Sequence, residues 1–347
     1  MTRIDDSQRG ARVVPLDLNQ ATVFLEVESR PDAPMLVRSV LSCVGDGLSL
    51  DQNALDDMKL AVSAACNNVV AHAYGGSYGP LAVSVRVGAE WSEVTVRDHG
   101  LGIRRVAPAM DRARFGLAVM GTVSQRVEFL SPRDGGTKVR MQFRAGSGRS
   151  RPLPAVASPS EVAPPHEVAS PREAVPPHEV APPHEVAPPS EIAWPSETDQ
   201  SVHSPFALSG DAVVTLAPVA LLGSLLGRLS ATLAKLRRFS LDRAGEIEQV
   251  GNALADHALG AASGGRISFA LLASDSRFEV KLAPLRTGSS GGLETPSRRR
   301  PSPLRTFSDE VAVDAADDHE SLHVVLLPRG YRPPTEIRQP AALPPPD

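Results

Sequence analysis

The sequence predicts an α+β fold: a mostly antiparallel sheet with helices on one face, followed by a spacer and a second globular segment. Three observations carry this. Residues 1–145 contain short runs alternating apolar and polar residues, the period-two signature of strands with one buried face. Between these runs lie stretches with apolar residues at helical spacing. The 32 prolines of the 347-residue chain are uneven, with six in residues 1–145 and thirteen in residues 151–200.

Element by element, residues 22–28 (TVFLEVE) read as a strand and 34–44 (PMLVRSVLSCV) as a short amphipathic helix. A longer helix is expected over 51–73, with Leu55, Met58, Val62, Ala65, Cys66, Val69 and Ala73 on one apolar stripe. Residues 81–87 (LAVSVRV) and 93–98 (EVTVRD) alternate as strands. An Arg-rich loop over 104–115 leads to a helix opening at Gly116, and strands at 126–130 and 137–143 close the unit around a turn at Asp134-Gly135-Gly136. Such a set is a two-layer sandwich.

Composition narrows the function classes. Apolar residues make 41% of the chain, enough for a core, and the net charge of −4 gives no whole-chain attraction to nucleic acid or anionic membrane. Two cysteines, Cys43 and Cys66, cannot build a disulfide framework or a Cys-rich metal site. The opening MTRIDDSQRG lacks the apolar core of a signal peptide. The uncharged run Ala212–Gly227 is interrupted by Pro218 and Gly223 and is shorter than the ~18 residues of a spanning helix. A cytoplasmic protein is expected. Only four of 36 basic residues are Lys, which fits a GC-rich, bacterial coding sequence.

From Pro159 a hexad repeats as PSEVAP, PHEVAS, PREAVP, PHEVAP. Proline at one or two positions in six removes backbone donors and disfavours helix, so an extended, solvated spacer is expected. The expected organisation is a domain over 1–145, a linker over 146–204, a second domain over 205–330 and a disordered tail over 331–347.

Two local patterns point to chemistry. Ala64, Asn68 and His72 are spaced by four along the long helix, and Asn in an apolar helix is a poor choice unless its amide is used. The strand at 93–97 runs into Asp98-His99-Gly100-Leu101-Gly102, which puts a carboxylate at a sheet end, followed by a turn able to approach a ligand closely. Backbone N–H groups at a helix opening with Gly116 would suit phosphate oxygens, and Gly135-Gly136-Thr137 begins a neighbouring strand. Alone, each has a bland reading, a locally satisfied Asn or an ordinary D-x-G turn.

Together and in this order, AVSAACNNVVAHAY (61–74), VRDHGLGI (96–103), FGLAVM (115–120) and GGTKV (135–139) resemble the N, G1, G2 and G3 boxes of the GHKL ATPase superfamily, which includes gyrase, histidine kinases and heat-shock chaperone ATPases. The bacterial anti-sigma factor serine/threonine kinases are the most similar branch. The resemblance spans about residues 20–145. It implies an ATP site in which Asn68 holds Mg²⁺, Asp98 binds the adenine amine, Gly100 and Gly102 shape the adenine pocket, 104–115 forms the lid, Gly116 starts the phosphate-binding helix and Thr137 supports Asp98 and the base. Family kinases carry a Glu general base four residues before the Asn; here that position is Ala64, which accepts no proton. The lid segment has Arg114-Phe115-Gly116 where relatives often have Gly-x-Gly.

The second segment follows the same order. IEQVGNALADHALG parallels the N box, and RISFALLASDSRFEVKLAPL parallels the two strands before G1. Ala253 then stands at the Asn68 position and Pro284 at the Asp98 position, so a degenerate copy that binds no nucleotide is expected; an unrelated α/β domain is the alternative. The resemblance implies an ATP-binding regulator whose partner is a sigma factor or an anti-sigma antagonist, with homodimer formation or pairing of the two domains within one chain. An active serine/threonine kinase using another base and a non-catalytic scaffold are the competing classes.

Overall fold

The computed structural model describes residues 21–102, 111–144, 208–294, 303–316 and 318–329. The spacer, the loop containing Arg298-Arg299-Arg300 and the tail lie outside the described residues, as does the part of the expected lid at 104–110.

The first segment contributes β1 (Ala21–Glu28), α1 (Ala33–Leu48), α2 (Gln52–Asn68), β2 (Pro80–Val87), β3 (Trp91–Asp98), α3 (Asp111–Val123), β4 (Arg126–Leu130) and β5 (Lys138–Arg144). The second contributes β6 (Ala212–Ala217), α4 (Leu222–Leu236), α5 (Leu241–Ala261), β7 (Ile267–Ser274), β8 (Arg277–Leu285), the short α6 (Gly291–Glu294) and α7 (Pro303–Phe307), then β9 (Glu310–Ala315) and β10 (Glu320–Leu326).

The ten strands among the described residues form one sheet in the order β4-β5-β3-β2-β1-β6-β7-β8-β10-β9, and every described pairing is antiparallel. Each half runs strand, helix, helix, strand, strand, helical segment, strand, strand, and in each the last-but-one strand lies at the sheet edge. The halves meet through β1 and β6, where Phe24 pairs with Thr215 and Leu25 with Val214.

Alternation decides which way each strand faces. Val23, Leu25 and Val27 of β1 and Val83 and Val85 of β2 are buried, as are Val94 and Val96 of β3. Their registered partners share one face of the pleat. α1 lays Leu36, Val37, Val40, Leu41 and Val44 on the core, and its chain exits through Ser49 in the left-handed region at φ 52°. α2 starts where the Asp51 carboxylate accepts from the Ala54 N–H at 3.0 Å, a side-chain N-cap, and buries Leu55, Met58, Val62, Ala65 and Cys66 as its period requires.

α4, with the 3₁₀ turn before it, contains an 18-residue apolar stretch, Val219–Leu236, long and apolar enough to cross a membrane by length and composition. Here Leu225, Leu229 and Leu233 are fully buried, and α4 packs against α1 and α5. Arg237 at its C-terminal end joins the halves, bonding Asp32 at 2.6 Å and reaching Asp211 at 3.6 Å. Ser39 of α1 and Thr232 of α4 share a hydrogen bond at 3.3 Å.

Candidate functional site

The expected helix over 51–73 is α-helical only to Asn68. Residues Val69–Ala73 form a π-turn, which inserts extra backbone into the helix and rotates the residues beyond it. His72 is therefore not in simple four-residue register with Ala64 and Asn68. The π-turn's end is stitched to the D-x-G-x-G turn. Leu101 N–H donates to the Ala73 carbonyl at 2.8 Å. The Tyr74 hydroxyl donates to the Pro80 carbonyl at 2.5 Å and accepts from His99 N–H at 3.0 Å. A side chain on Gly100 would run into the Ala73 carbonyl, so glycine is what lets the turn lie on the helix end. Tyr74 is thus a structural brace.

These elements enclose a pocket of about 120 Å³ lined by Ala65, Asn68, Val69, His72, Ala73, Val96, Asp98, Gly102, Leu117, Phe129, Thr137 and Val139. It gathers Asn68, Asp98, Gly102 and Thr137 from among the sequence-derived site residues; Gly100 and Gly116 shape it from behind. Its volume is below the roughly 300–1,000 Å³ of pockets that swallow a whole ligand, and suits one flat ring system with the rest of the ligand outside the mouth.

Asp98 is the pocket's polar anchor. It ends β3, is 3% exposed, and its Oδ1 accepts from Gly100 N–H at 2.8 Å. Its own N–H donates to the Thr137 carbonyl at 2.9 Å. Burial pushes the Asp98 carboxyl above the usual carboxylate range, while hydrogen bonds from Gly100 and from the Thr137 backbone and hydroxyl pull the other way. A carboxylate has about four acceptor sites, so capacity remains for a donor entering an otherwise apolar pocket. The turn holding Thr137 is fixed by Gly136 at φ +75°, where a side chain would strike the Asp98 carbonyl, and by the Arg97–Asp134 ion pair.

Asn68 is half-buried on the facing wall, and no hydrogen bond of its amide occurs among the described residues. Gly116 faces it: a Cβ there would lie 3.2 Å from Asn68 Nδ2. This corrects the expectation that Gly116 opens a helix. α3 already begins at Asp111, because Asp111 to Arg114 contain nothing that breaks a helix and Ala and Arg favour one. Gly116 sits inside α3, where its bareness lets the helix approach Asn68; residues 111–115 of the expected lid are helical. One turn before Asn68, Ala64 is half-buried against the core.

Sequence reasoning missed Leu117 and Phe129. The alternation of RVEFL places Phe129 on the core side of β4, but only the sheet order reveals that β4 is an edge beside the pocket. Among the described residues there is no cluster of three His, Cys, Asp or Glu able to hold a metal by itself.

Residues 27–143 match the histidine kinase-like ATPase domain family. The serine-protein kinase RsbW of Bacillus pumilus is 30% identical over 123 residues, covering 30% of this chain and 76% of that protein. The chain belongs to the GHKL, or histidine kinase-like, ATPase family. RsbW of Bacillus licheniformis is 32% identical over 87 residues, covering 24% of this chain and 54% of that protein. RsbW of a Bacillus cereus strain is 26% identical over 92 residues, 25% of this chain and 58% of its own length. The chain thus spans little more than half the length of these last two kinases. The family match at 27–143 covers the half that contains the pocket, and all four of its boxes line or brace that pocket.

Proposed function

We propose that the chain is an ATP-binding regulator of the anti-sigma factor serine kinase kind, acting by binding a protein partner and transferring phosphate slowly. The observation that carries the reading is the buried Asp98 carboxylate at the end of an apolar, ring-sized pocket with the Asn68 amide on its wall. The adenine amine would donate to Asp98. Val96, Val139 and Val69 would cover the ring faces and exclude water, which strengthens that one polar contact. The phosphates would pass Asn68.

The residues fit Mg²⁺ held mainly by the nucleotide. Asn68 offers a single carbonyl oxygen, unengaged among the described residues, and Mg²⁺ characteristically takes few protein ligands, completing its shell with phosphate oxygens and water. When bound, it would neutralise charge on the phosphates. Proton removal from an attacking hydroxyl is the weak point, since the Ala64 methyl accepts nothing.

The second half is read as a degenerate copy that binds no nucleotide. Val94 and Val96 of β3 face Val85 and Val83 of β2 as Val280 and Leu282 of β8 face Leu271 and Phe269 of β7, which supports reading Pro284, two residues beyond Leu282, at the position of Asp98. Glu320 there accepts from Gly288 N–H and from Ser290 N–H at 3.0 Å, tying down the segment after β8. The partner would be a sigma factor or an anti-sigma antagonist, in the cytoplasm of a bacterium, with the second half taking the place beside β1.

The test is single-turnover loss of radiolabelled ATP, with and without an antagonist protein, alongside co-purification with sigma factors. The reading expects saturable ATP binding, very slow turnover and a stable protein complex. Turnover at ordinary kinase rates that Asn68→Ala abolishes would overturn the slow-transfer part; no nucleotide binding would overturn the whole.

A further inference from the structure

We infer that Phe129 is the aromatic contact of the base and makes the pocket select purine over pyrimidine nucleotides; the inference rests on the nucleotide reading above. Phe129 and Leu117 line the pocket while 39% and 41% exposed. The remaining apolar lining (Ala65, Val69, Ala73, Val96 and Val139) is buried.

An edge strand ordinarily shows water charged side chains. β4 does so on its outer face at Arg126 and Glu128, which pair at 2.6 Å, while Phe129 on its inner face stays 39% exposed at the pocket. The ring stacks on no other aromatic among the described residues. A half-bare, unstacked ring at a pocket mouth is a surface that a flat ligand would cover.

Register gives the reach. Val139 of β5 is the cross-strand neighbour of both Phe129 on β4 and Val96 on β3. Asp98 stands two residues beyond Val96 on the same face. Phe129 is therefore two strand spacings, roughly 10 Å at the backbone, from the strand that carries Asp98. A two-ring base anchored at Asp98 spans the Val96–Val139 row and meets the Phe129 ring. A one-ring base anchored at the same carboxylate falls short of it. Pyrimidine nucleotides would lose this contact even where their amine satisfies Asp98.

The experiment is calorimetric titration of the full chain with Mg·ATP and with Mg·CTP, in wild type, Phe129→Ala, Phe129→Leu and Phe129→Tyr, with thermal melts to check folding. Base–aromatic stacking implies that Phe129→Ala weakens ATP binding about tenfold or more. CTP binding should change little, so the ATP-to-CTP preference collapses. Phe129→Leu, which keeps an apolar side chain at a half-exposed position, should show the same collapse, and Phe129→Tyr should restore the preference. A merely structural role would move both nucleotides together. If wild type binds ATP and the preference survives in Phe129→Leu and Phe129→Ala, this inference fails and the nucleotide reading stands. If wild type binds neither nucleotide, the nucleotide reading fails and takes this inference with it.

Discussion

Replacing Asp98 by Asn separates binding from stability. The side chain is 3% exposed, and burial is the largest influence on it, raising its pKa above the ordinary carboxylate value. The folded protein therefore binds the Asp98 proton more tightly than the unfolded chain does. Ionised Asp98 lowers stability at pH above the raised value, and that cost disappears as pH falls through it. Asn keeps the shape and one acceptor for Gly100 N–H but removes the charge. Relief of the buried charge and loss of charge-assisted bonds from Thr137 oppose each other, so Asp98→Asn should change the neutral-pH melting temperature little and remove this part of its pH dependence. Binding should not be spared. A hydrogen bond from a ligand amine to a charged acceptor contributes roughly 1.5–3 kcal/mol, so ATP affinity should fall about ten- to hundredfold. Wild-type affinity should also weaken as pH drops through the raised Asp98 value, while that of the variant stays flat over the same window. Calorimetric titration across pH reads both effects. Equal ATP affinity in the two proteins at neutral pH refutes the assignment of Asp98 to the base.

Three further changes probe the remaining contacts. Gly116→Ala puts a methyl 3.2 Å from the Asn68 amide; helix propensity should hold or raise the unfolding free energy, by up to about 1 kcal/mol, while Mg·ATP affinity falls, and unchanged affinity would mean that Asn68 is not in contact with the nucleotide. Ala64→Glu restores a proton acceptor one helical turn from Asn68, and since a general base contributes about 10²–10⁴-fold to rate, single-turnover ATP loss should accelerate at nearly constant affinity; no acceleration would remove Ala64 as the cause of slow turnover. Glu320 is held below the ordinary Glu range chiefly by the Gly288 N–H, with Ser290 and Ser289 adding to it, so its stabilisation is present above the unfolded value and lost as pH falls through the lowered one; Glu320→Gln should lower the melting temperature at neutral pH and flatten its acid limb, and identical melts from acid to neutral pH would contradict the clamp.

How much of the fold and site was legible in the sequence depends on the range of the interaction. Period-two runs located the strands of the first half within a residue or two, because side-chain alternation is local and β1, β2 and β3 each bury one face. The apolar stripe of α2 was equally plain. The π-turn at 69–73 was not, since it answers to tertiary contacts: Ala73 must present its carbonyl to Leu101 and Tyr74 must reach Pro80. The start of α3 was misjudged because Gly116 looked like punctuation, whereas its requirement is the nearness of Asn68. Asp98, Asn68 and Thr137 could be named from motif order, and they meet in one pocket. Phe129 could not, because a five-residue strand does not announce whether it lies at a sheet edge or beside a pocket. The pairing of β1 with β6 is likewise invisible in either strand alone; it is a property of the assembled sheet.

The most direct test of the central claim is the stoichiometry of Mg·ATP binding to the intact chain, measured by calorimetry with protein concentration fixed independently. One nucleotide per chain, lost when Asp98 and Asn68 are both replaced by Ala, is the result expected if the first half holds the site and the second half, with Ala253 and Pro284, holds none. Two nucleotides per chain, or one that survives the double replacement, would contradict it.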